Sequence, residues 1–202
     1  SRSINPKEDK NLLSILESGA EYACIFGKSL KDQIEKQLKI SLLQNLKKIC
    51  DSVSFLKNKG IKVFYDAEHY FAGFKDDKRY ALATITAAIT GGAQRIILCD
   101  TNGGTLPKDA REIIKETKNF LIKKNLLIKL GVHFHNDCGM ATANTLASIP
   151  YITQVQGTIN GIGERIGNTD FSQFIPIYMK KLNKPLNIDL NKIKHLSETA
   201  YR

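Results

Sequence analysis

The chain alternates between short apolar segments and longer amphipathic ones, and this alternation constrains its fold more than any other feature. Five segments have the length and the apolar content of buried strands, and helix-like segments separate them. Strict alternation of strands and helices predicts a parallel sheet with helices packed outside it. The predicted strands cover residues 22–26, 61–65, 95–99, 127–132 and 154–158.

Apolar residues spaced three and four apart predict the helices between these strands. Pro107 stands at the start of one of them, a position where proline fits because its missing N–H has no partner there. The predicted helices cover residues 8–18, 31–59, 80–89, 107–123, 140–148, 171–182 and 190–201.

A polar cluster follows every predicted strand, and this favours a closed barrel over an open doubly wound sheet. A barrel brings all the carboxyl ends of its strands to one rim, where its active site lies. An open sheet brings together only the strands beside its switch point. The clusters are Gly27-Lys28-Ser29; Asp66, Glu68 and His69; Asp100, Thr101 and Asn102; His133, His135, Asn136 and Asp137; and Asn160, Glu164, Arg165 and Asn168.

The predicted fold class is therefore α/β, a (β/α)₈ TIM barrel that is incomplete here. A complete barrel takes about 250 residues, whereas this chain has 202 residues. We expect residues 1–202 to form the C-terminal part of a TIM-barrel catalytic domain, with three further units before residue 1.

The composition is that of an ordinary globular protein, with 42% hydrophobic and 25% charged residues. No apolar run approaches the ~18 residues of a membrane helix, and no signal peptide opens the chain. The four cysteines are scattered without paired spacing. We therefore expect free thiols, no membrane partner and a reducing, cytoplasmic setting.

The net charge of +10, from 30 basic and 20 acidic residues, could indicate nucleic-acid binding. The basic residues are mostly lysines dispersed along helices, however, and no arginine–aromatic stripe interrupts them. A solvated basic surface is favoured, no nucleic acid is expected, and a phosphate-bearing small molecule is the second possibility.

His133 and His135 flank Phe134 at the end of the fourth predicted strand. Side chains alternate along a strand, so the two imidazoles point to the same side and supply half of a metal site. The alternative is a pair of polar residues hydrogen-bonded inside the core. Asn168, taken by itself, is better explained as a turn residue after Gly167.

Four stretches resemble the metal-dependent acyl-CoA condensing family of 2-isopropylmalate, homocitrate and citramalate synthases, which is related to the hydroxymethylglutaryl-CoA lyases. The citramalate synthase branch matches best. The stretches are Tyr65-Asp-Ala-Glu-His-Tyr-Phe71, Leu98-Cys-Asp-Thr-Asn-Gly-Gly-Thr-Leu-Pro107, His133-Phe-His-Asn-Asp137 and Gln154-Val-Gln-Gly-Thr-Ile-Asn-Gly-Ile-Gly-Glu-Arg-Ile-Gly-Asn168.

The resemblance implies a TIM barrel of which this chain supplies strands four to eight. The family's first strand carries an Asp-Arg-Glu-type motif, whose Asp binds the metal and whose Arg holds the 2-oxo acid, and nothing here matches it. Downstream family segments that complete the site from a partner subunit are also unmatched. We expect a homodimeric parent protein, and an inactive chain when residues 1–202 are made alone.

The implied reaction condenses acetyl-CoA with a 2-oxo acid, giving (R)-citramalate from pyruvate in branched-chain amino-acid (isoleucine and leucine) biosynthesis. The resemblance makes His133, His135 and Asn168 the metal ligands. Imidazole plus oxygen ligands suit Zn²⁺ or Mn²⁺ better than Mg²⁺, although all three metals stay open.

The resemblance also assigns roles on the rim. Glu68 is the catalytic candidate, Thr101 and Asp100 are the candidates for binding the 2-oxo acid, and Asp100 could instead hold loops together. Asp66 and His69 are weaker candidates that could act through neighbours. Arg165 is expected to pair with Glu68 or Asp100. The acyl-CoA-binding loop is expected to comprise Asn160, Gly161, Gly163 and Glu164.

Three alternatives stay open. The chain could belong to a 2-isopropylmalate or homocitrate synthase, to a carbon–carbon lyase resembling hydroxymethylglutaryl-CoA lyase, or to a catalytically incomplete fragment that binds metal or a partner subunit.

Overall fold

The computed structural model describes residues 5–201 as an α/β structure with one parallel sheet and helices against it. The strands are β1 (Tyr22–Lys28), β2 (Lys62–Glu68), β3 (Arg95–Asp100), β4 (Lys129–Phe134) and β5 (Gln154–Gln156). The helices are α1 (Lys10–Glu17), α2 (Leu42–Asn58), α3 (Tyr70–Asp76), α4 (Lys78–Gly91), α5 (Pro107–Lys123), α6 (Ala141–Ser148), α7 (Phe171–Lys180) and α8 (Ile193–Ala200).

The five strands lie side by side in chain order, each parallel to the next. This order has no reversal, so the sheet has no switch point of the doubly wound kind. It is the order of consecutive strands in a (β/α)₈ barrel. The prediction of a partial barrel is confirmed.

Side-chain contacts across the concave face show how strongly the sheet curves. Gln156 on β5 donates from Nε2 to Asp66 Oδ1 on β2 at 3.1 Å and lies 3.8 Å from Cys24 Sγ on β1. Strands in a sheet are spaced about 4.8 Å apart, so three flat spacings would separate β2 from β5 by about 14 Å. The sheet is therefore bent as a segment of a barrel wall, and its carboxyl ends converge on one rim.

The hydrophobic core lies between the convex face of the sheet and the helices. Ile96, Leu98, Val132 and Phe134 on β3 and β4 are fully buried. β3 has apolar residues on both faces, as is typical of a parallel strand that is buried on both sides. This packing fixes the direction of β3 and β4, whose ends carry the candidate site.

The helix predictions fail in two places, at one predicted helix and at one helix that was missed. The single helix expected over residues 31–59 is divided into a π-helical segment, Gln33–Leu38, and α2. Lys39 has a left-handed φ of 55°, and Ser41 then starts α2 with a capping box in which Ser41 and Gln44 bond each other's backbone N–H. The short helix α3, which begins after His69, was not predicted.

None of the helices between residues 5 and 201 is long and apolar enough to cross a bilayer. All four cysteines are free thiols, as expected from their scattered positions.

The two outer strands of the sheet, β1 and β5, have exposed edges that bear on the association of residues 1–202 when made alone. Within residues 5–201 no ladder joins β1 to β5, and Phe26 on β1 is 72% exposed. Unpaired edges of a parallel sheet present free backbone donors and acceptors together with apolar side chains. We therefore expect the isolated chain to associate. Light scattering tests this, and a monodisperse monomer would contradict it.

Candidate active site

The centre of the candidate site is the histidine pair at the end of β4. The rings of His133 and His135 lie on the same side of the chain, with centroids 4.9 Å apart. β4 ends at Phe134, and His135 continues in an isolated antiparallel bridge with Asn168. The predicted common side is confirmed, and the chain also brings Asn168 next to the pair.

Two buried polar atoms beside this pair have no hydrogen-bond partner, His135 Nδ1 and Asn168 Oδ1. An orphaned buried acceptor costs free energy unless a ligand, ion or water satisfies it. An imidazole nitrogen and an amide oxygen can both serve as ligands of a divalent metal ion. His133, His135 and Asn168 therefore fit such an ion. Within residues 5–201 no group of three or more histidine, cysteine, aspartate or glutamate side chains is arranged to hold a metal ion.

The charge state of His135 suits a metal ligand, because a ligating imidazole must be neutral. Burial lowers the pKa of His135, and electrostatic interactions with His133 and Arg165 lower it further. Burial likewise lowers the pKa of His69, with a contribution from Lys28. The interior of the rim therefore disfavours imidazolium.

Glu68 ends β2 and is directly opposite Lys28 in the register of β1 and β2. The two side chains form an ion pair with Nζ and Oε2 3.4 Å apart, and both are largely buried. The ammonium group holds the carboxylate at the rim.

Thr101 and Asp100 follow β3 and have different surroundings. The hydroxyl oxygen of Thr101 accepts the backbone N–H of His69 at 2.7 Å, which leaves its own proton free to donate. Asp100 is 4% exposed, and its Oδ2 accepts the backbone N–H of Thr105 at 2.9 Å. The contacts of Asp100 hold its loop together, in agreement with the second interpretation given to it.

The glycine-rich loop after β5 makes close backbone contacts at its glycines and side-chain contacts with its neighbours. A Cβ on Gly163 would overlap Asn168 Nδ2, and one on Gly167 would overlap Gly161 O. Asn160 is turned toward the C-terminal helices, since its Nδ2 donates to Ser197 O at 2.8 Å. Glu164 is exposed. These contacts explain the glycines by close backbone approach and keep Asn168 in position.

Gly167→Ala is expected to destabilise the protein by about 2 kcal/mol or more, because Gly167 combines a φ of 103° with contact to Gly161 O. Urea unfolding of the protein expressed from its complete reading frame measures the change. Gly104→Ala is the matched control, since a Cβ there meets nothing within 4 Å. Equal unfolding free energies in the two variants would contradict the strained packing of this loop.

Arg165 does not pair with Glu68 or Asp100, so that prediction is wrong. Its guanidinium binds Asp137 in a bidentate pair, Nε to Oδ1 at 2.7 Å and Nη2 to Oδ2 at 2.9 Å, and Nη2 also donates to Thr101 O at 2.8 Å. The hydrogen bond from Arg165 lowers the pKa of Asp137. Arg165 thus ties together the loops that follow β3, β4 and β5.

The sequence patterns did not reveal Gln156, whose side chain lies beside His133. His133 Nδ1 and Gln156 Oε1 are 2.7 Å apart, and the amide nitrogen of Gln156 bonds Asp66. A polar residue paired with His133 in the register of β4 and β5 is the signal that could have revealed it. That register depends on how β4 and β5 pair, which the sequence alone does not determine.

The chain matches the model of the HMGL-like family over residues 7–200. It is 45% identical over 199 residues to the (R)-citramalate synthase of Sulfolobus acidocaldarius, covering 96% of this chain and 37% of that protein. It is 32% identical over 183 residues to the 2-isopropylmalate synthase of Sulfurisphaera tokodaii, covering 90% of this chain and 46% of that protein.

Among solved structures, the hydroxymethylglutaryl-CoA lyase of Pseudomonas aeruginosa superposes with a TM-score of 0.78 at 17% identity, covering 96% of this chain and 68% of that one. At this identity the likeness is one of fold, and it agrees with the barrel segment described above. The chain thus spans less than half the length of each of these two synthases, 37% and 46%.

Proposed function

The chain belongs to the HMGL-like family, and we propose that it forms the carboxyl-terminal part of the barrel of an enzyme that condenses acetyl-CoA with pyruvate to give (R)-citramalate. The observation that carries the proposal is the 45% identity to an (R)-citramalate synthase over nearly the whole chain. The rim residues support it, because the histidine pair, Glu68 and Thr101 all lie at the carboxyl ends of neighbouring strands.

HMGL-like proteins generally depend on a divalent metal, and in this proposal His133, His135 and Asn168 hold it. The orphaned His135 Nδ1 and Asn168 Oδ1 support that assignment. When bound, the metal supplies a Lewis acid for the ketone oxygen of the 2-oxo acid. The identity of the metal among Zn²⁺, Mn²⁺ and Mg²⁺ is left to measurement.

Glu68 acts at the methyl group of acetyl-CoA, where a proton must leave before the new carbon–carbon bond forms. Removal of this proton gives the enolate, the enolate carbon bonds the ketone carbon of pyruvate, and hydrolysis of the thioester then releases CoA. A carboxylate held in place is suited to this proton transfer. Lys28 keeps Glu68 in position through their ion pair.

Thr101 binds the carboxylate of the 2-oxo acid in this proposal. Its hydroxyl oxygen already accepts a hydrogen bond from His69 N–H. The hydroxyl proton is therefore free to be donated to a ligand. Asp100 supports this position by holding the loop closed on Thr105.

The remaining parts of the proposal concern the whole protein. The loop with Asn160, Gly161, Gly163 and Glu164 lies next to the acyl-CoA, and two copies of the parent protein form a homodimer. Free thiols throughout the chain support a reducing, cytoplasmic location. The product would feed branched-chain amino-acid biosynthesis.

A 2-isopropylmalate synthase is the second candidate, favoured by the 32% identity to such an enzyme. The two activities differ in the group on the 2-oxo acid, a methyl group in pyruvate and an isopropyl group in the other substrate. A pocket fitted to the smaller group discriminates by about 10- to 200-fold per methylene.

The protein from the complete reading frame, supplied with a divalent metal and acetyl-CoA, tests the proposal. Thiol release is measured with pyruvate, with the isopropyl 2-oxo acid and with no 2-oxo acid. We expect kcat/KM to be at least about tenfold higher for pyruvate. The reverse preference would assign the second candidate, and cleavage of a carbon–carbon bond without condensation would contradict both.

A further inference from the structure

A chain of hydrogen bonds crosses the concave face of the sheet and ends on His133. Cys24 Sγ on β1 donates to Asp66 Oδ1 on β2 at 2.9 Å, and Gln156 Nε2 on β5 donates to the same oxygen at 3.1 Å. The other end of the Gln156 amide, Oε1, lies 2.7 Å from His133 Nδ1. Four side chains from four strands are thereby linked across the barrel segment.

Asp66 determines which way the amide of Gln156 faces. A carboxylate oxygen can only accept hydrogen bonds, so it requires the NH₂ group of Gln156 on its side. The flipped amide would place two oxygens with no proton between them at the same separation. The carbonyl oxygen of Gln156 is therefore directed at His133.

The amide of Gln156 in turn determines which ring nitrogen of His133 carries the proton. Because Gln156 Oε1 is an acceptor, His133 Nδ1 must be the N–H donor, and a neutral imidazole has one such donor. The lone pair then resides on Nε2. This is the tautomer in which His133 can coordinate a metal through Nε2 without losing a proton.

We propose that Gln156, held by Asp66, is a positioning residue that fixes His133 in its metal-binding tautomer and orientation. The proposal rests on the metal site of the proposed function. Gln156 does not touch the metal or the substrates; it acts through His133. Partners of this kind typically change metal affinity about 10- to 100-fold when they are removed.

The test uses the metal-free protein from the complete reading frame, labelled with ¹⁵N at histidine only. Solid-state NMR identifies the protonated nitrogen of His133, whose signals are assigned by their loss in His133→Ala. We expect protonation at Nδ1 in the wild type and a shift toward Nε2 in both Gln156→Leu and Gln156→Met, because neither side chain offers His133 a carbonyl oxygen.

Competition with a chromophoric chelator then gives the affinity for Zn²⁺ alone. We expect Gln156→Leu to bind Zn²⁺ about 10- to 100-fold more weakly than the wild type. Gln154→Leu is the matched control, because Gln154 is on the same strand but pairs with Gly131 rather than His133, and its affinity should not change.

A wild-type His133 protonated at Nε2 would overturn the proposal, and so would a Gln156→Leu variant with unchanged tautomer and Zn²⁺ affinity. If Gln156→Leu fails to fold, the wild-type tautomer and Gln156→Met decide, because methionine keeps the length of the side chain. These readouts need no substrate. A protein that forms no citramalate but shows them would refute the proposed function alone.

Discussion

Replacing Glu68 with Gln is expected to lower kcat by about two to four powers of ten while the metal stays bound. The substitution keeps the shape of the side chain and removes the carboxylate that takes the methyl proton of acetyl-CoA. The ion pair with Lys28 is lost as well, but none of the proposed metal ligands is touched. Exchange of the methyl protons of acetyl-CoA into deuterated solvent measures enolisation directly and should slow by the same factor.

Glu21→Gln is the matched control for Glu68→Gln. Glu21 also pairs with a lysine across β1 and β2, namely Lys62, but at the opposite end of the strands. We expect its exchange rate to equal that of the wild type. Normal exchange in Glu68→Gln would exclude Glu68 from enolisation.

Removing either histidine of the pair is expected to abolish retention of the metal. His133→Ala or His135→Ala deletes a direct ligand, and such a deletion should cost more than the roughly 100-fold upper figure for loss of a supporting partner. The two variants should lose their metal on dialysis and with it the condensation activity. Metal content per protein after dialysis is the measurement.

His195→Ala is the control for these variants, because His195 is exposed on α8. Its metal content should match that of the wild type. An unchanged stoichiometry in both His133→Ala and His135→Ala would remove the pair from the metal site.

Local patterns in the sequence predicted most of the secondary structure. Pro107 and the apolar spacing behind it gave α5 with both of its ends, Pro107–Lys123. The boundary that failed, residues 31–59, failed because apolar spacing continues through Lys39 although the backbone there turns left-handed. The capping box of Ser41 and Gln44 was the overlooked local signal.

Side-chain positions in the candidate site could be predicted where strand geometry alone determines them. They could not be predicted where they depend on contacts between loops. Alternation along a strand was enough to place His133 and His135 on one side. The partner of Arg165 depends on how three loops approach in space, and sequence spacing carries no information on that. Gln156 reaches Asp66 only because the sheet is bent, and bending is a property of the assembled barrel.

The zinc K-edge absorption spectrum of the complete protein loaded with Zn²⁺ tests most directly whether the rim at the end of β4 holds the metal. We expect imidazole nitrogens at about 2.0–2.1 Å from zinc in the wild type, and no zinc retained by His135→Ala after dialysis. Sulfur ligands at about 2.3 Å, unchanged between the wild type and His135→Ala, would place the metal on cysteines and contradict the assignment of the active site.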